Sequence, residues 1–321
     1  TWTYKPWSPL DERTVTLQET LSRAGVLTGL VADTPHPFAP GYNYQRGFDT
    51  WELIRGQEHD HWKADPAGVS FPCDRRKLRN PDGTVVRYLR NVAGRRREED
   101  YFCARTFREA ADWLERNHRR RFFLYVDTFD PHEPWDPPRN YVELYDPGYR
   151  GEEVIYPRYD LVGFLSRAEL RHCRALYSGE VTLVDSWIGF LLDRIRSLGI
   201  ERSTAVIVTS DHGFYLGEHG FIGKSLLTER YTQAIPLYPE VARIPLIVRV
   251  PGIRPRRVKG IVQPPDLMPT VLELLGVPAP GSVQARSIFA KGRPRFAVCS
   301  PTVSHPGVEV PHPTTRSSVY E

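Results

Sequence analysis

Three apolar runs in this sequence each end in a cluster that pairs a carboxylate with an imidazole: Asp33-Thr34-Pro35-His36, Asp130-Pro131-His132 and Asp211-His212-Gly213. An adjacent aspartate and histidine can both ligate a hard or borderline divalent ion if the turn carrying them splays both toward one point. Gly213 is the residue that would permit such a turn. A second acidic-His-Gly triplet, Glu218-His219-Gly220, follows within the same stretch and reads as structural support at least as readily as a ligand pair. His212 and His219 stand seven residues apart, which matches no compact zinc spacing. The chain contains no H-E-x-x-H, no Walker A loop and no G-x-S-x-G nucleophile elbow.

Clusters of this kind need a scaffold that brings them together. Thr14 reads as the cap of a helix running to about Arg23, followed by an apolar strand over Val26–Ala32. A Pro/Gly/aromatic stretch reaches to about Asp65, and a basic segment to about Arg97 has the composition of a surface excursion. Helical periodicity covers Glu98–His118 and Arg167–Leu198, and strands are expected at Phe122–Thr128, Ser203–Ser210 and Pro245–Val250. The Pro-rich segment from Pro131 to Tyr159 reads as a long loop of the kind that covers an active site, and Pro264–Leu275 as a helix ended by Gly276. Strands alternating with helices predict an α/β protein with a mostly parallel central sheet flanked by helices on both faces. Ligands of such sheets bind beyond the carboxyl ends of the strands, where all three clusters fall.

Composition narrows the partners. With 40% hydrophobic and 26% charged residues over 321 positions, the chain has the make-up of a soluble globular protein. The formal charge of +4 suits an anionic substrate. The basic runs Arg75-Arg76-Lys77, Arg95-Arg96-Arg97 and Arg119-Arg120-Arg121 lack interleaved aromatics, so no nucleic-acid partner is expected. No apolar run approaches the roughly 18 residues of a membrane span, so no membrane partner is expected either. Cys73, Cys103, Cys173 and Cys299 show no paired spacing and read as free thiols, favouring a reducing, cytoplasmic compartment. An oligomer is compatible with all of this.

Ser210-Asp211-His212-Gly213, followed by Leu216-Gly217-Glu218-His219-Gly220, strongly resembles the C-terminal metal-binding motif of sulfatases in the alkaline phosphatase superfamily. AGVLTGLVADTPH with RGFDTW, YSGEVTLVDSWIGFLLDRIRSLG, IPLIVRVPG and DLMPTVLELLGVPAP resemble further sulfatase segments, in the family's order. The resemblance covers almost the whole chain and implies the alkaline phosphatase-like sulfatase fold. It places residues 1–295 in a catalytic domain incomplete at its N-terminus and residues 296–321 in the start of a C-terminal extension.

The same resemblance implies a mechanism. A divalent ion (Ca²⁺, Mg²⁺ or Mn²⁺) sits among carboxylates beside a formylglycine, whose hydrated aldehyde attacks sulfur or phosphorus. Carried over position by position, Asp211 and His212 are the metal ligands; many sulfatases have Asn at the second position, and His is a known variant. Lys224 matches the lysine that neutralises the sulfuryl oxygens, and His132 in DPHEPW the histidine that contacts substrate and assists the leaving group. His36 matches the histidine of the G-K-x-H motif, which acts near the hydrated aldehyde. Thr34 stands in the substrate-binding position where that motif has lysine, a departure shared with phosphonate monoester hydrolase-like members.

The family's paired N-terminal aspartates and its C-x-P-S-R or C-x-A-G-R nucleophile motif do not occur. Cys299-Ser300-Pro301 spaces Cys and Pro correctly but lacks the arginine and follows the metal motif; Cys73 lacks the proline. The formylglycine is therefore expected outside this chain, and the 321 residues alone are expected to be catalytically silent. The reading is a metal-dependent hydrolase of small-molecule sulfate esters. Two alternatives stand beside it: a phosphonate monoester or phosphodiester hydrolase of the same superfamily, and a non-catalytic relative acting as a binding module.

Overall fold

The computed structural model describes residues 9–64, 68–227, 232–233, 235–292, 296–299 and 318–320. At its centre is β1 (Leu27–Ala32), buried along its whole length. Strands β2 (Thr50–Leu53) and β3 (Phe122–Asp127) flank it, both parallel, with Gly29 opposite Thr50 and Ala32 opposite Asp127. Continuous apolar character suits a strand enclosed on both sides. Gly29 is required by close packing: a Cβ there would lie 2.5 Å from the Trp113 ring.

Helices cover both faces. Helix α1 (Leu17–Arg23) begins at Thr16, not Thr14, because Thr16 and Glu19 close a reciprocal capping box. Leu21 and Val26 pack with Val271 and Leu272 of α7 (Leu267–Leu274), against Phe123 and Ile207. On the other side, Trp113 and Leu114 of α3 (Phe102–Asn117) pack with Leu27 and with Ile195 of α5 (Arg167–Ser197). The remaining helices are single turns or little more: α2 (Val86–Val92), α4 (Arg139–Val142) and α6 (Pro239–Ala242).

The strand that ends in Asp211 is β5 (Val206–Thr209), which pairs antiparallel with β10 (Leu246–Arg249). Beyond it, β4 (Asp160–Leu161), β7 (Phe221–Gly223) and β6 (Tyr215–Leu216) make a small antiparallel sheet in the order β4-β7-β6 that delivers Lys224. Two further antiparallel pairs, β8 (Leu226–Leu227) with β9 (Thr232–Gln233) and β11 (Ala297–Cys299) with β12 (Ser318–Tyr320), complete the strands described.

Two segments differ from the expectation. The basic stretch before Arg97 is not a surface excursion: Leu78, Val85 and Tyr88 belong to the largest buried cluster, and Arg79 reaches the site. Arg75, Arg79 and Arg95 lay their guanidinium groups over the rings of Phe71, Tyr156 and Tyr101, which composition alone does not reveal. The Pro131–Tyr159 loop is likewise part of the interior. Trp135, Val154, Ile155, Tyr156 and Tyr159 are all buried at its two ends, while Leu144 and Tyr145 between them are exposed.

Candidate functional site

The loops leaving β3 and β5 and the turn after β7 meet at one ammonium group. Lys224 Nζ lies 2.9 Å from His132 Nε2 and 3.0 Å from His212 Nε2. An ammonium only donates, so both ring nitrogens accept, which places the remaining proton of each ring on Nδ1. Both Nδ1 atoms have an acceptor for it: Glu133 O at 2.7 Å from His132, and Gly213 O at 3.0 Å from His212. Burial keeps both rings neutral and pushes His132 down to about 4; the Lys224 charge acts the same way. Burial also lowers Lys224.

Across long-range titration, an imidazole of ordinary pKa is half protonated near 6.5, whereas folded His132 holds its neutral form to about 4. His132 is therefore expected to stay neutral from pH 8 to pH 5 in ¹⁵N NMR. Its contribution to stability is complete above pH 6.5 and declines as pH falls toward 4, because the unfolded chain takes the proton first. A half-point at 6 or above would overturn the neutral assignment.

Asp211 differs from the other two aspartates at the strand ends. Its side chain is 82% exposed, with Oδ2 3.4 Å from His212 Nε2. Asp33 and Asp130 are buried instead. Asp33 accepts from Thr106 and Thr128 hydroxyls and the Phe129 N–H, and Asp130 accepts from Gln57. These two carboxylates fix loops, while His132, two residues after Asp130, reaches Lys224.

The Asp211–His212 pair fits a divalent ion. Turning Nδ1 of a ligating histidine onto a backbone carbonyl is the usual way of aiming its Nε2 at a metal, and His212 has that arrangement. The same Nε2 serves either the Lys224 proton or an ion. Gly213 is needed here for space, not for a left-handed turn: it is absent from the positive-φ glycines, and a Cβ would sit 1.9 Å from Glu240 O. Gly213→Ala is expected to push α6 away and cost about 1–3 kcal/mol in a denaturant titration.

Thr34 is buried and donates its hydroxyl to Asp127 Oδ1 at 3.3 Å. Asp127, the last residue of β3, was not singled out in the sequence. Burial raises its carboxyl to about 6, and the Asp211 charge adds to this even as the Thr34 hydrogen bond opposes it. A carboxylate closing an apolar strand, at the same sheet edge as Asp211, was the available signal. Glu218 accepts from the Leu216 N–H and His219 stacks on Tyr238, so both support the fold.

Behind the histidines runs a network that sequence reasoning missed. Glu133, fully buried, receives Arg79 Nη2 at 2.6 Å and the Tyr159 hydroxyl. Burial raises its carboxyl, but His132, Arg79 and Lys224 more than offset this and hold it low. Arg79 also faces Glu58 Oε1 at 3.6 Å, between the Tyr156 and Tyr159 rings. His36 is not on Lys224. Its Nε2 lies 3.1 Å from Glu58 Oε2, and Phe129 links it to His132 by ring contacts of 5.9 and 4.1 Å.

A half-buried lysine, two imidazoles and an exposed carboxylate thus stand together where β3, β5 and β7 end, in an α/β fold. The sulfatase family model matches residues 2–277, and the chain belongs to that family. It is 28% identical over 203 residues to an arylsulfatase of Clostridium perfringens, covering 56% of this chain and 39% of that protein. It is 28% identical over 265 residues to an endo-4-O-sulfatase of Bacteroides thetaiotaomicron, covering 80% of this chain and 44% of that protein. The chain thus spans under half the length of these two relatives. The fold is similar to that of the phosphonate monoester hydrolase of Agrobacterium radiobacter, with a TM-score of 0.64, 19% identity, and coverage of 91% of this chain and 66% of that one.

Proposed function

We propose that the intact protein is a metal-dependent hydrolase of small-molecule sulfuric acid esters. The observation that carries this reading is the Lys224 ammonium held between His132 and His212 beside the exposed Asp211. Asp211 and His212 would hold the ion (Ca²⁺, Mg²⁺ or Mn²⁺), which when bound supplies Lewis-acid polarisation of the ester oxygens. Lys224 has three N–H donors; with the ion on His212 Nε2, His132 takes one, leaving two for sulfuryl oxygens. His132, its Nδ1–H fixed on Glu133 O, presents Nε2 for proton exchange with the departing alcohol, drawing on the ammonium it touches. The nucleophile is proposed to be a formylglycine contributed from outside these 321 residues, since no C-x-[PA]-x-R occurs among them.

A second reading, hydrolysis of phosphonate monoesters or phosphodiesters, draws support from Thr34. The hydroxyl on Asp127 leaves the pocket one cation short of the lysine-bearing motif, which favours a singly charged ester. One preparation assayed with 4-nitrophenyl sulfate and with a phenyl phosphonate monoester separates the readings. Sulfate turnover that vanishes in Asp211→Ala supports the first, and faster phosphonate turnover the second. Absence of both after metal loading would leave the non-catalytic alternative.

A further inference from the structure

His36, Glu58 and His59 form a cluster that the chemistry above does not use as a unit. Their ligand atoms all lie within 4.8 Å of one another. His36 Nε2 at 3.1 Å and His59 Nδ1 at 2.9 Å converge on a single oxygen, Glu58 Oε2. A tetrahedral ion with bonds near 2.0–2.1 Å spaces its ligand atoms about 3.3 Å apart, so small side-chain adjustments would admit one.

We propose that these three side chains form a zinc-type metal site, separate from Asp211 and His212. The surroundings of Glu58 have the form expected around a ligating carboxylate. Its other oxygen, Oε1, accepts from the Tyr156 hydroxyl at 2.5 Å and faces Arg79 at 3.6 Å, which leaves Oε2 for the ion. Glu58 is 5% exposed and sits at φ 45°, a left-handed conformation that costs a non-glycine residue energy. His59 is 39% exposed at its side chain and supplies the route in from solvent.

Two imidazole nitrogens and one oxygen select a borderline ion over Ca²⁺ or Mg²⁺, and three protein ligands leave a fourth position for water. The ion ties the turn after β1, which carries His36, to the turn after β2, which carries Glu58 and His59.

The test uses the whole chain carrying Asp211→Ala, so that the other centre cannot report. Equilibrium dialysis against Zn²⁺ should retain one equivalent with a Kd at or below about 1 μM, and Co²⁺ in its place should give the visible bands of a tetrahedral nitrogen and oxygen site. Adding His59→Phe should weaken retention by at least about 100-fold, and adding Tyr156→Phe by roughly 10–100-fold. His59→Gln is the second variant should His59→Phe fail to give a cooperative melt. Unchanged retention in the His59 variants, or none at micromolar Zn²⁺, would overturn the site. Both variants fall on residues to which no step of ester hydrolysis is assigned, so either outcome leaves that reading standing.

Discussion

Replacing Lys224 by alanine in the intact protein is expected to lower kcat by roughly 10²–10³-fold with a smaller change in KM. With the ion on His212, the ammonium is still anchored on His132 Nε2 at 2.9 Å, so it reorganises little as charge develops on the ester oxygens. Its partly desolvated position strengthens attraction to that charge relative to a lysine in water. Lys224→Arg should not restore the rate, because a planar guanidinium cannot donate to His132 Nε2 and to the ester oxygens with the tetrahedral geometry of an ammonium. A variant in which KM rises and kcat is unchanged would make Lys224 a uniform binder of the anion and remove its proposed role.

Arg79→Leu is expected to destabilise the fold by about 3–5 kcal/mol, the range for removing one partner of a buried ionic network. Glu133 is fully buried and depends on the Arg79 contact at 2.6 Å, while Glu58 faces the same guanidinium at 3.6 Å. Without it, two carboxylates stay buried with fewer positive neighbours. Arg79→Lys keeps the charge but not the flat stacking between Tyr156 and Tyr159, so an intermediate loss is expected.

The pH dependence follows from the sign of the carboxyl shifts. Glu58 and Glu133 are held below their ordinary 4.5, so their contribution is present above pH 4.5 and disappears as pH falls through the lower folded values. Arg79→Leu should therefore flatten the acid side of the stability profile. Urea unfolding from pH 7 to pH 3 measures both effects, and a loss under about 1 kcal/mol at pH 7 would place Arg79 among weak surface pairs.

Much of the scaffold was legible because periodicity and punctuation agreed. The VLTGLVA run became β1, FFLYVD became β3, and the long pattern from Arg167 became one helix ending before Gly199. β2 was not legible, since TWEL is only four residues long, too short for its alternation to stand out within a Pro/Gly/aromatic stretch. Among the site residues, His132, His212 and Lys224 were legible through strand-end clusters and the sulfatase resemblance, and the structure brings them together. The network behind them was not. Arg79 meets Glu133 across 54 positions and Tyr156 meets Glu58 across 98, so local pattern carries no trace of either pairing.

The thiols answer to that same interior. Cys73, Cys103 and Cys173 are free and buried. Burial pushes Cys73 and Cys173 up to about 12 and Cys103 well above its ordinary value. Only thiolates react with alkylating agents or disulfides, so at pH 8 the reactive fraction of Cys73 and Cys173 is on the order of 10⁻⁴. Such groups are shielded from disulfide exchange for as long as the fold around them persists. Labelling by iodoacetamide would then proceed through transient opening of the core, and its rate at each of the three cysteines would measure how often the surrounding helices part.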